Sequence, residues 1–203
     1  MFRASRAFTL IELLTVIAII AVLAGIVIGV GKRASESGKI ARTKAELAAL
    51  STALESYKRQ YGDYPRTGAA ANLVIGTLIG TNDGPGILFN ALAGKRAPIV
   101  SLSAIDGRAL VDFALFTLAV PTALPETGNT TQLANAFLDP WGRRYVYYYK
   151  TGGAWSNPSY VLYSVGPDGA NAPNDLACHE PPNEFGYPDR NKDTNLDNLY
   201  ASS

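Results

Sequence analysis

The chain has 203 residues and a mass of 21.6 kDa, room for one domain with or without an appendage. Lys and Arg number 18 against 17 Asp and Glu, a net charge of +1, which together with 47% hydrophobic residues argues against a nucleic-acid binder and against a disordered chain. A single Cys, Cys178, excludes an intrachain disulfide and a Cys-rich zinc site, and a single His, His179, excludes any mechanism that needs two.

The apolar residues are concentrated at the N-terminus. After MFRASRA, the 24 residues from Phe8 to Gly31 carry one charge, Glu12. As a helix they would extend about 36 Å, enough to cross a hydrocarbon core of roughly 30 Å with some tilt. The run is too long for a secretory signal peptide, and Lys32-Arg33 follows it where a cleavage site should stand. The small residue, Ala7, precedes the run, so cleavage there leaves the apolar segment on the mature chain. A carboxylate inside such a segment is costly and marks function. Glu12 stands four residues after Phe8. A cut before Phe8 would create a cationic amine able to pair with Glu12 of another copy in a medium of low dielectric.

Ala7-Phe8-Thr9-Leu10-Ile11-Glu12-Leu13-Leu14, after a short basic leader, resembles the prepilin cleavage and methylation motif shared by type IV pilins and type II secretion pseudopilins. Ala7 stands where that motif usually has Gly. The resemblance implies that a prepilin peptidase cuts between Ala7 and Phe8 and methylates the Phe8 amine. It also implies that Glu12 pairs with a neighbour's amine during assembly. Charge does not settle topology, since Arg3 and Arg6 precede the run and Lys32, Arg33 and Lys39 follow it. The resemblance puts the leader in the cytoplasm and the bulk of the chain in the periplasm, on a single-pass inner-membrane anchor.

The helical pattern continues past the apolar run. From Lys32 to Tyr61 there is no Pro, and Ile40, Leu47, Leu50, Leu54, Tyr57 and Tyr61 recur at helical spacing as one stripe. Gly62 reads as the C-cap and Pro65 as a stop, giving one helix from Phe8 to Tyr61. Gly25 and Gly29 form a GxxxG, and Gly25 to Gly31 is the expected weak point of the helix. Residues 65–138 read as a variable region with structure of its own. Ile87 to Ala93 is a short helix, Ala109 to Ala119 a helix or a buried strand, and Pro121 to Thr131 a loop.

Asp139-Pro140-Trp141-Gly142 reads as a turn, and Arg144 to Lys150 and Ser159 to Val165 as antiparallel strands, with Gly152-Gly153 and Asn157-Pro158 in the loop between them. Their apolar face should cover the helical stripe, giving an α+β fold: a long N-terminal helix on a small antiparallel sheet. The expected organisation is a leader (1–7), a membrane and filament-core helix (8–31), its periplasmic continuation (32–64), the variable region (65–138) and a C-terminal hairpin with an acidic loop (139–203). Asp139 to Tyr145, followed by Tyr163-Ser164-Val165-Gly166-Pro167-Asp168-Gly169, is similar to the C-terminal signature of the major pseudopilin of type II secretion. In that family the second motif leads into a calcium-binding loop.

The last 38 residues hold seven acids against two bases. Asp189, Asn191, Asp193, Asn195 and Asp197 alternate along the chain, an oxygen-rich pattern suited to Ca²⁺, although Thr194 and Tyr200 exclude an EF-hand. A structural Ca²⁺ would relieve the repulsion among these acids. Asp168, Asp193 and Asp197 are the first expected ligands, with Asp189 and Asp175 next. No catalytic residues are expected: Gly94-Lys95-Arg96 lacks the rest of a P-loop, and no Ser-His-Asp or Cys-His set exists.

The expectation is a non-enzymatic pseudopilin subunit of a type II secretion system that forms a short periplasmic filament. The resemblance supplies its partners: other copies, minor pseudopilins, the prepilin peptidase, an inner-membrane platform protein and membrane lipid, with no nucleic acid. Two alternatives stay open. One is a type IV pilin subunit for adhesion, motility or DNA uptake, although many of those pin the C-terminal region with a disulfide. The other is a prepilin-anchored periplasmic binding module in which Trp155 and the tyrosines stack on sugars.

Overall fold

The computed structural model describes residues 9–67, 81–98, 104–150, 158–167 and 199–201, with only the backbone for 26–33. The chain divides into two compact units, Met1–Gly38 and Lys39–Ser203. Helix α1, Leu10–Tyr61, contributes to both.

In the first unit, α1 has no apolar face as such, because it is apolar all round. Every large hydrophobic from Leu10 to Leu23 is exposed, from 81% at Leu10 to 48% at Val16. A helix of this kind is stable only when something else surrounds it. Among the described residues, no helix is long and apolar enough to cross a membrane. The expected span, 8–31, runs past the described side chains at both ends, since the apolar stretch with described side chains stops at Gly25. The backbone at Gly25, Gly29 and Gly31, the expected weak point, is helical.

In the second unit, α1 behaves as its stripe predicts. Leu47, Leu50, Leu54 and Tyr57 are almost fully buried, while Lys44, Ala45, Ala48, Ala49 and Thr52 on the other side are exposed. Each buried leucine contributes about 1.5–3 kcal/mol relative to an exposed one. The helix stops at Gly62, whose φ of +86° is strained for residues with a side chain and whose N–H donates to the Lys58 carbonyl.

Strands β1 (Thr117–Leu118) and β2 (Phe137–Leu138) pair antiparallel, and β3 (Val146–Tyr148), β4 (Val161–Ser164) and β5 (Leu199–Tyr200) form a second antiparallel sheet in that order. Val146 opposes Tyr163 and Tyr148 opposes Val161. Alternation sends Tyr145, Tyr147, Tyr149, Tyr160 and Leu162 into one core with the α1 stripe, as expected. Val146, Tyr148, Val161, Tyr163 and Val165 form a second buried cluster, to which Tyr200 of β5 adds. The tyrosines facing the helix keep partners for their hydroxyls: Tyr145 donates to Glu46 at 2.6 Å, Tyr147 to the Pro65 carbonyl at 2.8 Å and Tyr149 to Asp63 at 2.7 Å. Burial, reinforced by Glu46, pushes the Tyr145 phenol far above its ordinary value, so it stays a donor. The α+β architecture is therefore the one the sequence predicts.

Two expectations need correction. The short helix α2 begins earlier, at Gly84, and ends at Leu92. Asp83 caps it, accepting from the Gly86 N–H at 2.9 Å. Gly84 is required by the close approach of β3, because a Cβ there would lie 2.3 Å from the Tyr147 carbonyl oxygen. The segment Ala109 to Ala119 is neither one helix nor one buried strand. Asp112 accepts from the Ala114 N–H and caps a single 3-10 turn, Phe113–Leu115, after which β1 begins. An acid at a cap position in the middle of an apolar run divides it. The loop carrying Gly152-Gly153 and Asn157, and Trp155 within it, lies outside the described residues.

Candidate functional site

The N-terminal candidate is built on the first turn of α1. Thr9 is the cap residue and Glu12 the third helical residue. The Thr9 N–H donates to Glu12 Oε2 at 2.9 Å and the Thr9 hydroxyl donates to the same oxygen at 2.8 Å. The Glu12 N–H is 3.4 Å from Thr9 Oγ1, closing a reciprocal capping box. Thr15 donates to the Glu12 carbonyl at 2.9 Å. Glu12 is thus held at the positive end of the helix by the residue next to Phe8, and it is exposed. This arrangement fixes the carboxylate in one place. Thr9 is the partner of Glu12 that the sequence reading passes over, although the T-x-x-E spacing carries its signal. Ala7 and Phe8 lie outside the described residues.

The second candidate is the junction ahead of the acidic segment. Asp139 is 1% exposed. Its Oδ1 accepts from the backbone N–H groups of Trp141 (3.0 Å) and Arg143 (2.9 Å), and its Oδ2 accepts from the Ser164 hydroxyl at 2.6 Å. Ser164 in turn accepts from the Gly166 N–H at 3.2 Å, and the Arg143 guanidinium donates to the Gly166 carbonyl. Gly142 takes a φ of +82°, as the turn requires. Arg144 pairs with Asp83 at 2.8 Å with both side chains largely buried. The two motifs that the sequence separates by some 20 residues are therefore one hydrogen-bonded unit, with Asp139 at its centre and Gly166 at its exit. The expected calcium ligands Asp168, Asp175, Asp189, Asp193 and Asp197, like Cys178 and His179, lie outside the described residues. Among the described residues, no group of three or more His, Cys, Asp or Glu could hold a metal ion.

A third feature lies in the middle region, an open cavity of about 540 Å³ lined by Lys95, Asp106, Arg108, Phe113 and Glu126 among others. Lys95 Nζ is committed there to Asp106 at 2.5 Å and to the Glu126 carbonyl at 2.8 Å.

Of these features, the first turn of α1 lies in the segment that comparison with known proteins matches. Residues 2–28 match the prokaryotic N-terminal methylation motif. The match takes in Ala7, Phe8, Thr9 and Glu12, so the capping box sits inside it. The motif is a type IV pilin-like prepilin signal, which implies a membrane-anchored chain processed by a prepilin peptidase and assembled into a multi-subunit filament. No curated protein and no solved structure matches the chain.

Proposed function

We propose that this prepilin-type chain is a pseudopilin of a type II secretion system, a structural subunit whose short periplasmic filament pushes folded proteins outward. The single observation that carries the choice of pseudopilin is the Asp139–Ser164 hydrogen bond. It joins the D-P-W-G turn to the S-x-G-x-D-G turn, and that pair of motifs is the pseudopilin signature. The apolar segment 8–31 spans the inner membrane, and the leader 1–7 is removed before Phe8. Glu12, already held by Thr9, accepts the methylated Phe8 amine of a neighbour as subunits stack. In this reading the acidic segment after Gly166 takes a Ca²⁺ through Asp168, Asp193 and Asp197, with Asp189 and Asp175 as further oxygens.

The test is a strain lacking this chain. Loss of export of folded proteins, with surface adhesion, motility and DNA uptake intact, supports the proposal. Retained export with loss of any of those surface functions would replace it with a type IV pilin. The cavity beside Arg108 favours a second reading, a prepilin-anchored binding module. Cleaved chains that stay monomeric in the membrane would favour that module over a filament subunit.

A further inference from the structure

We propose that the open cavity of the middle region binds a short peptide that has free ends and an apolar side chain. Such a site would serve a filament subunit and a binding module alike, so the inference does not depend on that choice. The cavity, of about 540 Å³, is lined by residues of the second unit alone. Small-molecule sites span roughly 300–1,000 Å³. Three loops form its walls, and their backbones are tied together. The Gly107 N–H donates to the Gly94 carbonyl at 2.7 Å, the Leu110 N–H to the Leu92 carbonyl at 2.8 Å and the Gly128 N–H to Asp106 Oδ2 at 2.9 Å. Gly94, at a φ of +73°, leaves no room for a side chain, because a Cβ there would lie 2.4 Å from the Gly107 carbonyl oxygen. The cavity is therefore held open by the fold itself.

The lining selects its ligand through the groups it leaves unpaired. Lys95, with 3% of its side chain exposed, gives two of its three N–H donors to Asp106 and to the Glu126 carbonyl. The third has no partner among the described residues, and a buried donor without an acceptor is costly. Asp106 has both oxygens engaged, by Lys95 and by Gly128, and the ammonium neutralises its charge. Two charged side chains of the lining remain, Arg108 and Glu126. Both are exposed, and neither pairs with the other or with any described residue. Phe113 and Pro125 add apolar wall, and the Phe113 ring is backed by Phe89 and Phe137. A simple anion would meet Glu126 as well as Arg108, and a simple cation the reverse. A ligand that carries a carboxylate for Arg108, an amine for Glu126 and an apolar group for Phe113 matches the whole lining. A peptide also brings a backbone carbonyl for the third Lys95 donor, which a free amino acid lacks.

The test is equilibrium dialysis of the full chain in detergent micelles against the radiolabelled tripeptide alanyl-phenylalanyl-alanine. Saturable binding is expected. Amidation of the peptide's C-terminus, or Arg108→Gln in the protein, should weaken it at least about tenfold, and N-acetylation of the peptide, or Glu126→Gln, by a similar factor. The paired changes should not add: amidation should make no further difference in Arg108→Gln, nor acetylation in Glu126→Gln. No saturable binding at millimolar peptide would overturn the proposal. Equal losses on amidation in the parent chain and in Arg108→Gln would overturn it too, as would phenylalanine binding as tightly as the tripeptide. Amidation and acetylation alter the ligand alone, so indifference to both would overturn the proposal even if a variant folded poorly.

Discussion

Glu12 is fixed by its own neighbour, Thr9. Its carboxylate receives both the N–H and the hydroxyl of Thr9 at the N-terminal end of the helix, where the macrodipole favours negative charge. Glu12→Ala should still be inserted, cleaved and methylated but should assemble poorly; filament yield in shear fractions checks this, and normal filaments would contradict the pairing. Asp139 is the other residue where much depends on one group. Asp139→Ala leaves the Ser164 hydroxyl and two N–H groups without their buried acceptor, and should destabilise the second unit by about 3 kcal/mol in a denaturant titration. The role of Asp139 is not legible in the sequence, because its partner Ser164 lies 25 positions away and only the fold brings the two together.

At the scale of elements, the stripe on α1 and the β-branched and aromatic runs at 144–150 and 159–165 identified their structures well, because each buries one periodic face. Leu54→Ala, at a position with no exposure, should cost about 2–5 kcal/mol, read as a lower melting midpoint. The elements that escaped are those set by distant pairing. β5 is two residues long and follows the acidic segment, so it has no periodicity to read. The apolar run from Ala109 to Ala119 has no period either, and only the cap at Asp112 divides it. The end of α1 is tied to the end of β3 through Asp63, which accepts from Tyr149, Arg66 and Lys150. Burial works against its charge, but the Tyr149 hydroxyl and the two cations outweigh it and hold the carboxyl well below the ordinary carboxylate value. A depressed folded pKa gives stability that is full above the unfolded value of about 3.9 and lost as pH falls toward the folded one. The melting difference between the parent chain and Asp63→Asn should therefore be largest above about pH 4 and close in stronger acid; a difference that does not change with pH would contradict this.

At the scale of the molecule, the chain combines a segment that is apolar on all sides with a unit that has its own core, and the division falls inside a single helix. The segment after Gly166 carries seven of the chain's 17 acids, and its oxygen-rich pattern leads to one whole-chain expectation. Addition of EGTA should lower the melting temperature and Ca²⁺ should restore it; an unchanged melt would remove calcium from the account. In the proposed function, filament assembly depends on processing at the other end of the chain, where the amine of Phe8 is freed to meet Glu12. Intact-mass and peptide mass spectrometry of the chain extracted from membranes tests this most directly. The account predicts a chain that begins at Phe8 with an N-methyl group. A chain that still begins MFRASRA, with no methyl group, would contradict it.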